Sequence, residues 1–398
     1  MMVRSKKWVE NGFIKGFIMF KRVLTLPLTG KKSIFLFGPR GTGKTLYLKQ
    51  HLKDAIYIDL LDYATYSSLS ANPGRLENLI APDYQGWVII DEVQRIPELL
   101  NEVHRLIENK GFRFVLTGSS ARSLKKEGAN LLAGRALTYK MHPLIIQEIG
   151  DAFDMSEVIT YGLLPSVVDQ PDAKKYLESY AQTYIREEVM QEGLTRSIGS
   201  FARFLEVASF SQGQVLNMSE IARELGLNRL MVANYFDILE DLLLSSRITV
   251  FTQRAKRKVI AHHKFYFFDV GVYRILRPTG PLDSLEEGDG AALETLFLQS
   301  LSAVNDYYEY GYKIHFWRTQ LGEEVDFVIY GARGFHAFEI KRSATITSKS
   351  LKGLKAFGED YPEAKLYILF FGKTKEYYGN ITAIPFEEAL KELPQLIG

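Results

Sequence analysis

A short glycine-rich segment between an apolar run and a helical run most constrains how this chain can fold. Residues 38–45 read G-P-R-G-T-G-K-T; they follow the apolar run Ser33–Phe37 and precede Leu46-Tyr47-Leu48. This order of strand, loop and helix is typical of a phosphate-binding loop. Glycines let several backbone N–H groups turn toward one anion, and the dipole of the following helix adds to the attraction. The sequence therefore predicts a polyphosphate site.

The residue types in this segment suit a nucleotide site. The Lys44 ammonium would reach the β- and γ-phosphates, and the Thr45 hydroxyl would ligate Mg²⁺. The alternative is a glycine-rich turn beside an ordinary surface lysine, but the flanking strand and helix favour the phosphate site. The residues expected to bind the nucleotide are Gly38, Pro39, Arg40, Gly41, Thr42, Gly43, Lys44 and Thr45.

A second apolar run ends in two carboxylates. Trp87–Asp91 reads as a strand buried on both faces, and Glu92 follows it directly. Asp91 would complete the Mg²⁺ shell, and Glu92 would orient or deprotonate the attacking water. An acidic helix cap after an ordinary buried strand is the alternative. Beside the phosphate loop, the pair favours hydrolysis over nucleotide binding alone.

Composition limits the classes of protein to consider. The chain has 398 residues, enough for two or three domains, and its net charge of +2 excludes an overall electrostatic commitment to nucleic acid. The absence of cysteine excludes disulfides and thiolate metal sites. No run approaches the ~20 apolar residues that a membrane span requires. We expect a cytoplasmic protein with no membrane partner, and residues 1–22 read as a helix rather than a signal peptide.

Strands alternate with helical segments over the first third of the chain, which predicts a parallel sheet flanked by helices. The candidate strands are 33–37, 55–59, 87–91 and 113–117. Thr117 and Ser119, at the end of the last of these, could contact the γ-phosphate or the attacking water. A glycine-serine turn without a sensing role is the alternative.

Arg135 closes the segment Leu132-Ala133-Gly134-Arg135 and admits two interpretations. It could enter the site of a neighbouring subunit in a homo-oligomer, or act in its own site, as an arginine finger. A structural salt bridge is at least as common for a lone arginine.

The middle of the chain reads as helical, and residues 211–262 follow a winged-helix pattern. Ser219 could cap the first helix, Gly226 would make the turn, and Asn228 could cap the second helix. Residues 251–258 form a basic segment that could act as a wing on DNA. The second helix ends in acidic residues that would repel phosphates, so DNA contact and a plain protein module both remain open.

The C-terminal part contains a predicted β-hairpin with charged residues at one end. If Gly331 pairs with Gly334, Asp326 lies opposite Glu339, and Lys341 lies opposite Glu324. Two opposed carboxylates repel unless a cation neutralises them, and D-x(n)-E-x-K is typical of metal-dependent nuclease cores. Glu294 could add an acidic ligand from a helix. The alternative is a solvated hairpin end with Lys341 bridging Glu324 or Asp326.

Together these motifs resemble a known family across nearly the whole chain. That family comprises prokaryotic AAA+-type P-loop ATPases whose C-terminal half is a domain of unknown function related to restriction-endonuclease-like folds. The resemblance implies ATP as the nucleotide, a winged-helix connector and a nuclease-like C-terminal domain. The segments that carry it are 38–45, 88–92, 116–120, 132–135, 267–271, 325–326 and 339–341.

The predicted fold class is α/β, with a P-loop parallel-sheet domain first and a restriction-endonuclease-like α/β domain last. The expected parts are an N-terminal helical extension (1–22), an ATPase core (23–154), a helical lid or connector (155–210), a winged helix (211–262) and a nuclease-like domain (263–398).

The leading functional hypothesis is a Mg²⁺-dependent ATPase coupled to a nuclease-like domain that engages nucleic acid, with Asp326 and Glu339 holding a second divalent metal. One rival is a nucleotide-controlled switch or adaptor whose C-terminal domain binds a protein and no metal. Another is a DNA-binding regulator that acts through its winged helix. The expected partners are ATP, DNA, an unidentified protein and further copies of the chain.

Overall fold

The computed structural model describes residues 13–14, 17–18, 20–120, 132, 134–168, 170–185, 188–189, 198–253, 257–259, 262–280 and 285–398. Near the N-terminus, β1 (Phe13–Ile14) pairs antiparallel with β2 (Phe17–Ile18). The helix predicted over residues 1–22 is therefore wrong at these four residues, since phenylalanine and isoleucine favour strands when a partner is in reach.

A five-stranded parallel sheet follows, in the spatial order β4-β5-β6-β3-β7. The predicted parallel-sheet fold class is confirmed. The sequence pattern does not indicate β7, because this edge strand has only half-buried and exposed side chains and lacks an apolar run. The strands are β3 (Ser33–Phe37), β4 (Ile56–Asp59), β5 (Trp87–Asp91), β6 (Arg113–Gly118) and β7 (Ala136–Lys140).

Both faces of this sheet are buried, which explains why its central strands are continuous apolar runs. Side chains alternate across a strand, so neighbouring residues enter separate core clusters. Phe35, Val88 and Leu116 lie in one cluster, while Leu36 and Ile89 lie in the other. The first helices of the chain are α1 (Lys44–His51), α2 (Tyr63–Ala71) and α3 (Leu99–Lys110).

A helical region connects the parallel sheet to the rest of the molecule. Its helices are α4 (Ile146–Ile149), α5 (Met155–Tyr161), α6 (Pro165–Val168), α7 (Ala173–Ser179), which continues as a π-helical turn over Tyr180–Tyr184, and α8 (Ile198–Ser209). Short 3₁₀ segments lie at Pro73–Leu79, Val93–Arg95 and Gly150–Ala152.

Two further helices, α9 (Met218–Leu225) and α10 (Arg229–Asp241), form a helix-turn-helix. Gly226 makes the turn with φ 65°, and Asn228 caps α10 by accepting the N–H of Met231, as predicted. The prediction that Ser219 caps α9 is wrong. Asn217 caps it instead, because its side chain accepts the N–H of Glu220 at 3.2 Å.

An eight-stranded mixed sheet occupies the C-terminal half, in the spatial order β14-β15-β13-β12-β11-β10-β8-β9. Its strands are β8 (Ser245–Val250), β9 (Lys264–Phe267), β10 (Lys313–Arg318), β11 (Glu324–Gly331), β12 (Gly334–Ile340), β13 (Lys365–Phe370), β14 (Glu376–Tyr378) and β15 (Ile381–Pro385). Its helices are α11 (Val270–Leu276), α12 (Leu285–Tyr307), α13 (Lys352–Asp360) and α14 (Phe386–Ile397).

This sheet spans two of the predicted parts. The segment predicted as a winged helix contributes β8, which pairs with β10, and the segment that follows contributes β9. Across the described ranges, no helix combines the length and apolar composition that a membrane crossing needs.

The predicted hairpin lies at the centre of the sheet. Gly331 pairs with Gly334, and Phe327 with Phe338, as predicted. The β10–β11 register shifts between His315 and Trp317. Strict alternation along β11 would put Val325 and Phe327 on one face, but Val325 shares a core cluster with Val328 while Phe327 belongs to another cluster. A register shift moves a side chain to the opposite face, and the sequence alone does not reveal it.

Candidate functional site

The glycine-rich loop joins the end of β3 to the start of α1 at the carboxyl edge of the parallel sheet. Gly41 and Gly43 have φ values of 85° and 92°, in the left-handed region that favours glycine. A Cβ atom on Gly38 would lie 2.3 Å from the carbonyl oxygen of Met141. The loop conformation therefore depends on these three glycines.

Lys44 begins α1 and turns its ammonium group back into the loop. Its Nζ atom donates to the carbonyl oxygens of Gly38 at 2.6 Å and Pro39 at 3.2 Å. Burial lowers the pKa of Lys44, while the carboxylates of Glu92 and Asp91 oppose that effect. Phosphate oxygens are stronger acceptors for an ammonium than neutral carbonyls are, so an anion in the loop would compete for this lysine.

Asp91, at the end of β5, accepts hydrogen bonds from three hydroxyl groups. Thr45 Oγ1 donates to Asp91 Oδ2 at 2.8 Å. The Tyr57 hydroxyl donates to the same oxygen, and the Thr117 hydroxyl donates to Oδ1. Burial is the largest cause that raises the pKa of Tyr57, and the neighbouring Asp91 carboxylate adds to it. Because Mg²⁺ prefers hard oxygen ligands, the Thr45 and Asp91 oxygens beside the loop fit this ion.

Glu92 has a backbone conformation that is rare for a residue with a side chain. Its φ of 59° lies in the left-handed region, and its N–H donates to Thr117 Oγ1 at 3.3 Å. The Gln94 amide donates to the Glu92 carboxylate. Such strain often occurs at functional sites. Here it accompanies a residue whose backbone N–H contacts Thr117 and whose carboxylate is held by Gln94 at the sheet edge.

Polar residues of the helical region approach the same edge. Ser119 Oγ donates to Glu188 Oε2 at 2.7 Å and accepts from Gln94 Nε2 at 3.0 Å. Arg40 in the loop lies 3.9 Å from the Glu188 carboxylate. Burial raises the pKa of Glu188, and the nearby Glu92 carboxylate adds to this. Glu188 therefore connects the helical region to both the loop and the predicted sensor Ser119.

Arg22 links the glycine-rich loop to α12, a helix of the C-terminal half. Its guanidinium donates to the Thr42 carbonyl at 2.9 Å, to Glu148 Oε1 at 3.0 Å and to the Tyr307 hydroxyl at 2.9 Å. Tyr307 ends α12 and also accepts the N–H of His142 at 2.9 Å. The loop and the long helix of the C-terminal half are thus held by one buried arginine.

Comparison with protein families supports the assignment that this geometry indicates. Residues 30–150, which include the whole loop and both carboxylates, match the model of an AAA domain. Residues 30–150 are a P-loop AAA+ ATPase domain. The AAA domain is followed by matches to two domains of unknown function, DUF8612 over residues 152–283 and DUF4143 over residues 289–389.

Two relatives and one solved structure show which other proteins the chain is similar to. An uncharacterized protein of Mycobacterium tuberculosis is 25% identical over 370 residues, which cover 90% of this chain and 80% of that protein. An uncharacterized protein of Methanocaldococcus jannaschii is 24% identical, covering 79% of this chain and 75% of that protein. The Orc1 protein of Aeropyrum pernix in complex with DNA is 13% identical, covers 62% of this chain and 86% of that chain, and has a TM-score of 0.27.

Arg135 lies just before β7 and away from the loop's own contacts. Its Nε atom donates to Glu108 Oε1 on α3. This contact is the structural salt bridge that the sequence analysis gave as an alternative. An arginine-finger role in a neighbouring subunit stays a prediction. Ala133 of the same motif lies outside the described residues.

The structure brings the C-terminal charged residues into one region. Glu294 lies on α12, Asp326 on β11 and Glu339 on β12, with Lys341 directly after β12. Lys341 Nζ donates to Glu339 Oε1, and Asp326 Oδ2 accepts the N–H of Ile340 at 2.8 Å. The expectation that Lys341 bridges Glu324 or Asp326 is wrong, because β12 ends before Lys341 and its side chain turns to Glu339.

Lys264, a residue that the sequence does not indicate, lies among these carboxylates. Its ammonium is 2.5 Å from Glu324 Oε1, 3.5 Å from Asp326 Oδ1 and 3.6 Å from Glu294 Oε2. The Lys264 residue is 2% exposed. The Tyr266 hydroxyl donates to Glu294 Oε2 at 2.6 Å. We call Lys264, Glu294, Glu324, Asp326, Glu339 and Lys341 the acidic cluster.

Two carboxyl groups of the acidic cluster have a raised pKa. Burial is the largest cause at both Glu339 and Glu294, and the Asp326 carboxylate adds to both effects. Among the residues that the structure describes, no group of three His, Cys, Asp or Glu side chains is arranged to hold a metal ion. The predicted second metal at Asp326 and Glu339 is therefore without structural support.

The predicted basic wing is only partly described. Arg254 and Lys256 lie outside the described residues. Arg257 donates to the Ala356 carbonyl at 2.7 Å and to Glu359 Oε2 at 2.7 Å. These contacts place the Arg257 guanidinium against α13 and leave fewer of its N–H groups to bind a phosphate.

Proposed function

We propose that this protein binds ATP with Mg²⁺ at the AAA domain and hydrolyses it. The observation that carries the proposal is the contact between Thr45 and Asp91, with the Lys44 ammonium held in the adjacent loop. A nucleotide-binding loop, a hydroxyl and an acidic strand end are the parts that P-loop hydrolysis requires.

Each residue has a distinct task in this proposal. Backbone N–H groups of the glycine-rich loop bind the phosphates, and the Lys44 ammonium leaves the Gly38 and Pro39 carbonyls for the β- and γ-phosphate oxygens. Mg²⁺ held by Thr45 and Asp91 would offset charge on the phosphates. Glu92 orients the attacking water and accepts its proton, and Thr117 and Ser119 report the state of the γ-phosphate.

Phosphate release from ATP by the full chain, with and without Mg²⁺, tests this function. Glu92→Gln should still bind ATP but release phosphate more slowly by a factor of about 10²–10⁴, because a proton acceptor is lost. The matched control is Glu98→Gln, an exposed glutamate in the same region that should hydrolyse normally. An inactive wild type that binds no labelled ATP would refute the proposal.

For the C-terminal half, one contact favours the adaptor among the sequence-based alternatives. A nuclease-like site would need a divalent cation between Asp326 and Glu339, and the Lys264 ammonium already neutralises Asp326 and Glu324. We therefore propose, as the second candidate, a nucleotide-controlled switch whose C-terminal domain binds a partner without cutting nucleic acid. Incubation of linear and circular DNA with Mn²⁺ should leave both intact, and cleavage that is lost in Asp326→Asn would instead establish the nuclease.

DNA binding and assembly into oligomers stay part of the wider proposal. The basic segment 251–258 is the sequence feature that supports DNA contact, and Arg135 is the one that supports assembly. Duplex binding at rising salt tests the first, and the mass of the ATP-bound protein in solution tests the second.

A further inference from the structure

A cavity of about 380 Å³ lies where three parts of the chain meet. The AAA domain contributes residues 38–39 and 140–143, the segment that matches DUF8612 contributes β8, and the segment that matches DUF4143 contributes α12. The exposed residues Lys140 and Ser246 lie on its wall, so solvent can reach it. Pockets of about 300–1,000 Å³ at such boundaries are where small molecules usually bind.

Two side chains on the wall of this cavity are buried without a hydrogen-bond partner for every polar atom. Ser245 on β8 is 8% exposed, and Gln299 on α12 is 5% exposed. Within the described residues, Ser245 Oγ and Gln299 Oε1 make no hydrogen bond. Gln299 also neighbours the buried Asp269 carboxylate, which attracts the N–H₂ end of an amide. The hydroxyl of Ser245 and the amide oxygen of Gln299 therefore remain for a ligand.

The charged groups on the same wall already compensate one another. Asp306 Oδ2 lies 2.7 Å from His142 Nε2 and 3.8 Å from Lys140 Nζ. Asn305 is also satisfied, because its amide donates to the Tyr312 carbonyl at 3.0 Å and accepts the Tyr312 N–H at 2.9 Å. A charged ligand would find no uncompensated charge among these residues, and burying its own charge would be costly. The wall thus favours an uncharged ligand.

The two remaining polar groups define the edge that such a ligand must present. Gln299 Oε1 requires an N–H or O–H donor, and the Ser245 hydroxyl can donate to a carbonyl oxygen. An N–H group beside a carbonyl is the edge of a cyclic amide, the chemical class to which uracil belongs. Apolar side chains of Ile248, Leu298 and Ile314 also line the cavity and can contact the faces of a ring.

We infer that this cavity is a binding site for a small uncharged cyclic amide, such as the base of a nucleoside, separate from the phosphate site. Neither Lys44 nor Asp91 is among the residues that line it. Gly38 and Pro39 do line it, and their carbonyls hold the Lys44 ammonium. A ligand in the cavity would therefore adjoin the glycine-rich loop without occupying the place of the phosphates.

Calorimetric titration of the full chain with uridine, in the absence of ATP, tests this site. We expect uridine to bind with a dissociation constant on the order of 0.1–1 mM, which is usual for an uncharged ligand of its size. 3-Methyluridine has the same ring without the N–H donor and should bind at least about tenfold more weakly. A rise in the thermal midpoint with uridine provides a second readout.

Matched variants assign the binding to the cavity. Gln299→Leu removes the acceptor and should weaken uridine binding about tenfold or more. Ser245→Ala removes one hydroxyl and should weaken it about threefold to tenfold. Ser300→Ala is the control, because it removes a buried hydroxyl next to Gln299 that does not line the cavity. Lys44→Ala should bind uridine as the wild type does, since the phosphate site is not involved.

Three results would overturn the inference. They are a wild type that binds no uridine at millimolar concentration, equal binding of uridine and 3-methyluridine, and a Ser245→Ala variant that binds uridine as Ser300→Ala does. Ser245→Ala decides the matter if Gln299→Leu fails to fold, because it deletes a single oxygen atom. A failure of ATP hydrolysis leaves this test unaffected, since uridine binding is measured without ATP.

Discussion

Thr45 donates its hydroxyl to Asp91 at 2.8 Å, across the gap between α1 and the end of β5. The first residue comes from the glycine-rich motif and the second from the apolar run that ends in acid. The parallel order of β3, β6 and β5 brings their carboxyl ends to one edge, which is why two distant motifs meet.

This contact leads to a prediction for Asp91→Asn. The amide keeps an oxygen for Thr45 but removes the negative charge, so Mg²⁺ should bind the nucleotide complex more weakly and turnover should fall about tenfold or more. Phosphate release measured over a Mg²⁺ titration checks this. Asp59→Asn, at the end of the adjacent strand β4, is the matched control. An unchanged rate and Mg²⁺ dependence in Asp91→Asn would remove Asp91 from the site.

Lys44→Ala should weaken ATP binding by a factor of about 10–100, since hydrogen bonds to a charged group contribute roughly 1.5–3 kcal/mol. The measurement is the affinity for a labelled ATP analogue. Lys53→Ala removes an exposed lysine just beyond α1 and should bind ATP as the wild type does. Equal affinities in both variants would show that Lys44 serves only the loop's own carbonyls.

Tyr307→Phe should destabilise the protein by about 1–3 kcal/mol, because the buried N–H of His142 and one guanidinium N–H of Arg22 lose their acceptor. Urea unfolding of the full chain provides the measurement. Tyr308→Phe, at the half-exposed neighbouring tyrosine, should have little effect. If the two variants unfold alike, the Arg22 link contributes nothing measurable to stability.

His336 predicts a pH dependence of stability. Burial lowers the pKa of His336 to about 4, and the Lys365 charge adds to this, whereas the unfolded chain has the ordinary value of 6.5. Between these values the unfolded chain binds the proton more readily, so stability falls as the pH falls from 6.5 to about 4. With solvent screening the loss amounts to about 2 kcal/mol.

His336→Phe should remove that part of the pH dependence, since phenylalanine can fill the space beside Phe338 and Tyr367 without titrating. The difference in unfolding free energy between wild type and variant, followed over this pH range, is the measurement. His263→Phe replaces an exposed histidine and should follow the wild type. A constant difference between wild type and His336→Phe would contradict the shifted pKa.

Local sequence patterns predict some residues of the candidate site and miss others. Residues 38–45 and 87–92 are predictable because short runs specify strand, loop and acid within a few positions. Tyr57, Gln94 and Glu188 carry no such signal, and their roles come from contacts with Asp91, Glu92 and Ser119. Hydrogen bonds between remote side chains depend on how strands and helices pack, which no local pattern records.

The sequence by itself determined the phosphate loop, the parallel sheet that carries it and the Gly331–Gly334 hairpin on which Asp326 and Glu339 lie. Each follows from residue spacing within one or two elements, where backbone geometry leaves few choices. Only the tertiary structure decided what lies between those carboxylates. Lys264 reaches them because β9 joins the edge of the same sheet, and burial makes its charge the compensation that the carboxylates require.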